Sequence, residues 1–301
     1  RVRSFMSAYD EAEIIAGEIA AKVRNQEAQY GDFAILYRTN AQSRMFEEKF
    51  LIANIPYKII GGVNFYARKE IKDLLSYLKT IDNARDDIAV RRILNVPKRG
   101  IGTTTINRVQ EYATEHNISF YEALSEISMI PGGGRAAAKI ESFVSLIRIL
   151  RTQEDYFGVQ ELLQEVIDRT GYVKELEAED TEEARARIEN IDELINKAAS
   201  YEEDAEEPSL EGFLSEVALV ADIDSMDNDT GRVILMTLHS AKGLEFPQVY
   251  LTGMEDGLFP GYMSVDSEDP DALEEERRLC YVGITRAMQE LTLTHAKRRM
   301  T

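Results

Sequence analysis

Apolar residues recur at helical spacing through EAEIIAGEIAAKVR (11–24), at Ile14, Ile15, Ile19 and Val23, and predict a helix. FAILYR (33–38) is a short apolar run ending on polar residues and predicts a buried strand. NAQSRMFEEKFLIAN (40–54) predicts a helix, with Asn40 as candidate N-cap. IPYKIIGG (55–62) predicts a strand closed by glycines, and ARKEIKDLLSYLKTID (67–82) a strongly amphipathic helix. This alternation is that of an α/β unit.

From about residue 87 the pattern changes. Helices are predicted over 88–95, 103–115, 120–127, 135–151, 157–169, 182–200 and 209–221, with the glycines at 132–134 and the acidic run at 202–207 as loops. Strands return after residue 232, at 233–238, 248–253 and 290–295, with a helix around 272–282 between the last two. The simplest architecture is an α/β domain of residues 1–86 and 226–301, interrupted by an all-α insertion over 87–225. The first and last segments would share one sheet.

Composition changes this picture in three ways. The 301 residues, 44% of them hydrophobic, suffice for two folded units with real cores. The lone cysteine, Cys280, excludes a disulfide framework and fits a reducing, cytoplasmic setting. No apolar run reaches the length of a membrane span. The N-terminus has neither an initiator Met nor a signal-peptide pattern, and the C-terminus stops just after a strand-like alternation, so the chain reads as part of a longer protein.

The net charge of −19 argues at first against nucleic acid. Its distribution removes the objection. Residues 151–230 hold 25 Asp/Glu against 6 Lys/Arg, and the other 221 residues carry 29 of each sign. Phosphate contacts need local cationic clusters, not a basic average.

Four stretches carry candidate chemistry. In LMTLHSAKGLEF (235–246) a buried strand runs into His239, Ser240, Lys242 and Glu245, and ligands of open α/β sheets bind at the carboxyl ends of strands. An ordinary turn with a capping Ser and a surface Lys reads the same way. In ILYRTNAQSR (35–44) Tyr37 and Arg38 end a strand; a ring beside a guanidinium suits a base and a phosphate, and equally suits core-edge packing and a surface ion pair. In LNVPKRGIGTTTINRV (94–109), Lys98 and Arg99 precede Gly100 and Gly102 at a helix start, an arrangement fitted either to a DNA backbone or to a plain helix–turn–helix link. ERRLCYVGITRA (276–287) places Arg286 after an apolar helical run, where it awaits an anion.

These stretches, with YKIIGGVNFYARKEIKDLLSYL and GMEDGLFP, occur in an order that resembles the C-terminal half of UvrD/PcrA/Rep-type superfamily-1 DNA helicases. The resemblance covers essentially the whole chain and is weakest in the acidic block. It implies a RecA-like, P-loop-NTPase-type parallel-sheet domain that lacks its own phosphate loop and carries an all-α insertion. No G-x-x-x-x-G-K-[ST] occurs, and neither DDIA (86–89) nor DPDA (269–272) follows a buried strand. The resemblance therefore implies that ATP and Mg2+ are held mainly by an N-terminal RecA-like domain acting in cis. By it, Arg286 is the arginine finger and Arg38 a second arginine at the γ-phosphate, Tyr37 stacks on the adenine, and Glu245 lies near the ribose and triphosphate. On the DNA side it implies Arg68 on the single-strand path, His239 as a DNA-holding or sensing residue, Lys98, Arg99, Gly100 and Gly102 as a duplex grip, and His295 in a hairpin at the strand–duplex junction. The implied partners are single-stranded DNA, its junction with duplex, and repair proteins, with no membrane. Two alternatives stand: a non-catalytic DNA-binding or docking module, and a helicase subunit of a recombination helicase–nuclease.

Overall fold

The computed structural model describes residues 1–134, 136–224, 231–267 and 269–299. They fall into two compact units: Arg1–Ala67 with Val220–Thr301, and Arg68–Leu219.

The first unit is built on one sheet drawn from both ends of the chain. Its amino-terminal part contributes β1 (Val2–Phe5), α1 (Ala8–Arg24), β2 (Phe33–Tyr37), α2 (Ser43–Ile52) and β3 (Tyr57–Ile60). All six strands are parallel, in the order β1-β6-β5-β2-β4-β3, once the later strands β4 (Val233–Thr237), β5 (Phe246–Leu251) and β6 (Ala287–Ala296) are added. A parallel sheet is covered on both faces, so its central strands read as unbroken apolar runs. β2 obeys this: all five of its residues are buried.

Strand alternation divides the core. Phe33, Ile35 and Tyr37 join Ile15 and Ile19 of α1 and Phe46 and Phe50 of α2. Ala34 and Leu36 face the opposite way, toward Leu279 of the helix between β5 and β6. α1 is well terminated: the Ser7 side chain accepts from Asp10 N–H, acidic residues occupy the first turn, and Lys22 and Arg24 the last.

The second unit is helical: α3 (Lys69–Asp82), α4 (Asp87–Ile93), α5 (Thr103–His116), α6 (Phe120–Ser125), α7 (Ala137–Gln153), α8 (Val159–Thr170), α9 (Tyr172–Glu179), α10 (Glu182–Asp204) and most of α11 (Leu210–Asp224). The first unit then resumes and adds α12 (Tyr262–Val265) and α13 (Pro270–Ile284) between β5 and β6.

Three elements lacked a sequence signal. β1 has only Phe5 buried and owes its place to β6, whose Leu293–Ala296 register with Val2–Phe5. α9 and α12 are two of the shorter helices, and each offers too few positions for a period to emerge.

The packing boundary at 67/68 also differs from the expected 86/87. Ile71, Leu74, Leu75, Tyr77, Leu78 and Ile81 are all buried, so α3 is apolar around more than one side. A helix of that kind needs helices around it, and α3 packs with α4, α7, α8 and α10. The expected second boundary, 225/226, lies outside the described residues.

The inner polar groups of α3 are satisfied across the bundle. Asp73 accepts from Arg92 at 2.7 Å and from the Tyr172 hydroxyl at 2.9 Å. Asn190 of α10 accepts from Arg68 at 2.7 Å and donates to Glu70 at 2.6 Å. Burial beside the Asp73 carboxylate raises the Tyr172 hydroxyl well above the usual phenol range.

Candidate functional site

The strand ends of the sheet unit hold two separate groups of polar residues. At the carboxyl ends lie Arg38, one residue past β2, and His239, two past β4. Arg38 sits one position beyond the inward-facing Tyr37 and turns to the α13 side. There Glu276 accepts from its Nε at 3.1 Å and its Nη2 at 2.9 Å. Glu276 is only 6% exposed, so its carboxylate depends on that guanidinium. Gln42 Oε1 receives the backbone N–H groups of Arg38 at 2.9 Å and Thr39 at 3.0 Å, which sets the turn. His239 is exposed and has no side-chain partner among the described residues.

At the amino ends lie Glu245, just before β5, and Arg286, just before β6. Phe246 N–H donates to the Arg286 carbonyl at 2.9 Å, tying the two strand starts together. The Arg286 guanidinium donates to Val282 O at 3.0 Å, to Leu244 O at 2.9 Å and to Thr285 Oγ1 at 2.9 Å. It thus covers carbonyls left open by the end of α13 and by the turn before Glu245. Glu245 itself is exposed and unpartnered among the described residues. α13 runs back between the parallel strands β5 and β6, so Glu276 marks its contact with the carboxyl-end group and Arg286 lies beyond its other end.

The helical unit holds the Lys98–Gly102 loop. Asn95 organises it: its Oδ1 accepts from Arg99 N at 3.0 Å and Ile101 N at 3.2 Å, and its Nδ2 donates to Ile101 O at 3.1 Å. Gly100 has φ +66°, a left-handed conformation that favours glycine. Gly102 is the N-cap of α5 and supplies no side-chain cap. Lys98 is exposed and without a partner among the described residues.

The profile of the UvrD-like helicase C-terminal domain matches residues 1–298. The chain belongs to that family. It is 49% identical over 297 residues to the ATP-dependent DNA helicase PcrA of Staphylococcus aureus, covering 98% of this chain and 40% of that protein. To PcrA of Staphylococcus epidermidis it is 48% identical over the same coverage. The chain spans about 40% of the length of these relatives.

Within this UvrD-like domain several expected residues are placed otherwise than their roles require. The Tyr37 ring is fully buried among α1 and α2, on the sheet face opposite Arg38, and offers no face to a base. Arg68 is 6% exposed and bonded to Asn190, so it does not line an open path. Arg99 turns inward: Nη1 donates to Ile93 O at 2.9 Å, with Leu94 O and Val96 O at 3.1 Å, and Nη2 donates to the Tyr77 hydroxyl at 2.6 Å. Its guanidinium caps the end of α4 and lies 5.1 Å from the Phe143 ring centroid. His295 is not in a hairpin; it lies in β6, in register with Ser4 of β1, inside a parallel sheet. The helix after β2 opens at Thr39, not Asn40, with Gln42 completing a capping box.

Two partners escaped sequence reading. Glu276 is recoverable in retrospect, because it shares helical spacing with Leu279, Cys280 and Gly283, and a carboxylate on an apolar face calls for a cation. Asn95 has no such signal; nothing in NVPKRGIG marks it as the residue that holds the loop.

Proposed function

We propose that this chain is the C-terminal half of an ATP-dependent DNA helicase of repair or replication, moving 3′ to 5′ in the cytoplasm. It completes a nucleotide site borne mainly by an N-terminal RecA-like domain. Family membership and the PcrA relatives support the activity class. The observation that carries the nucleotide role is that Arg38, at the carboxyl ends of the strands, and Arg286, at the amino ends, are each held at α13 with donors to spare. Arg286 uses three of its five guanidinium N–H groups on protein acceptors, which leaves two. The Nη1 of Arg38 is left by its pairing with Glu276.

ATP, bound with Mg2+, supplies the phosphoryl group whose transfer to water drives the cycle. Arg286, at the amino ends of the strands, donates to the anionic oxygens, and a fixed donor of this kind is worth about 10³–10⁵ in rate. Arg38, at the opposite strand ends, joins it once closure of the nucleotide site draws its guanidinium off Glu276 and along α13. Because Arg38 also neutralises the nearly buried Glu276, drawing Arg38 toward an anion tugs on α13, and α13 leads directly to Arg286. The two arginines are thereby linked through one helix. Glu245 offers its carboxylate beside Arg286, toward a ribose hydroxyl or the triphosphate. On the DNA side His239 contacts single strand, while Lys98, Gly100 and Gly102 hold the duplex backbone at the junction. Repair proteins are the expected partners of the whole helicase, and the chain alone has no turnover.

The test is DNA-stimulated ATP hydrolysis by the full-length parent. Arg286→Ala is expected to lower kcat about 10³-fold or more, and Arg38→Ala to lower it comparably. Full turnover in both variants overturns the assignment.

A further inference from the structure

We propose that Lys139, on α7, is a second phosphate-contacting residue of the Lys98–Gly102 loop; this rests on the reading of that loop as a duplex grip. Lys139 lies 39 positions along the chain from Gly100, yet its Nζ donates to the Gly100 carbonyl at 3.2 Å. The residue is exposed, and this is its one side-chain bond among the described residues. An ammonium has three donors, so two remain beside the loop.

Gly100 lies against this neighbour. Its φ of +66° is left-handed, its carbonyl accepts from Lys139, and a Cβ at this position would lie 2.9 Å from Lys139 Nζ. Glycine is favoured here by the backbone conformation, while the flexible Lys139 ammonium can shift to admit a Cβ. Arg99 lies between Lys98 and Gly100, but its guanidinium is committed to the carbonyls of residues 93, 94 and 96. Lys98 and Lys139 are then the cations set around the loop, one from its own backbone and one from a helix that packs near it. Two cations at one turn, beside a helix that opens without a side-chain cap, suit the spaced charges of a nucleic-acid backbone. The acid-rich block at 151–230 makes such a local pair matter more, since that block repels DNA.

The experiment measures binding of the 301-residue chain to a single-strand–duplex junction oligonucleotide and to single strand alone, by fluorescence anisotropy over a series of salt concentrations. Each lost phosphate contact lowers the log–log salt slope by about 0.9. Lys139→Gln and Lys98→Gln are each expected to reduce the junction slope by about that amount and to spare the single strand. Lys139→Arg, which keeps the charge, should keep the slope even if thermal stability falls. If Lys98→Gln lowers the slope and Lys139→Gln does not, the inference fails and the loop reading survives. If neither changes it, the loop reading fails and the inference with it.

Discussion

Two carboxylate clusters, one in each unit, are treated in opposite ways. In the sheet unit, Glu11 and Glu255 converge on Arg299, which donates to Glu11 at 2.7 Å and to Glu255 at 2.9 Å and 3.1 Å. Thr294 Oγ1 adds 2.6 Å to Glu11, and Ala296 N–H adds 2.7 Å to Glu255. Burial alone would raise the Glu255 carboxyl, but the bonds from Arg299 and Ala296 and the nearby cationic charge hold it below its ordinary value. Burial likewise opposes the charge on Arg299, and the two glutamates raise its pKa nonetheless.

In the helical unit, Asp82 ends α3 and Glu154 follows α7, both at the negative ends of helices. With Asp155 and Glu211 they line a cavity of about 320 Å³. Burial raises Asp82, Glu211 raises it further, and Arg151 only partly offsets them. Burial and then Asp82 raise Glu154. A carboxylate is stabilising where a guanidinium and N–H groups meet it, and destabilising where it meets its own kind, whatever the overall composition.

The largest test of this contrast is Arg299→Ala. Glu11 is 1% exposed, and loss of its cation should cost about 3–5 kcal/mol of unfolding free energy in a urea titration. A loss below about 1 kcal/mol would mean that the network is incidental. Next is Arg99→Lys. A point charge cannot reach several carbonyls and a hydroxyl at once, so stability should fall by about 1.5–3 kcal/mol. The junction salt slope should stay as in wild type, because Arg99 faces inward; a reduced slope would return it to the DNA surface.

The smallest effect is Asp82→Asn, which should raise stability at pH 7 by about 0.3–1 kcal/mol through relief of like charge at a helix end. The pH responses have opposite signs. Asp82 and Glu154 are raised in the folded state, so their penalty is relieved as pH falls through those raised values. Glu255 is lowered, so its contribution is complete above its unfolded value and is lost as pH falls through the folded one. Tm measured from pH 7.5 to 4 should show the benefit of Asp82→Asn shrinking in mild acid. A constant benefit would locate its cause outside titration.

Much of the fold was legible because the strands are apolar runs and the helices keep their period. Phe33–Tyr37, Val233–Thr237 and Lys69–Asp82 fall within a residue or two of expectation. The site was legible as a set of stretches and not as a set of side-chain directions. Arg38 and Arg286 keep donors available, whereas Arg68 and Arg99 stand in equally suggestive motifs and turn inward.

Local pattern alone determined the alternation of elements, the missing phosphate loop, the concentration of acid in one block and the order of motifs that marks the family. Only the tertiary structure decided which cations face outward, where α3 belongs, and that His295 pairs beside β1 inside the sheet instead of entering a hairpin. The reason is physical: a guanidinium points where carbonyls and carboxylates await it, and those partners, Glu276 for Arg38 and Asn190 for Arg68, lie more than a hundred residues away along the chain.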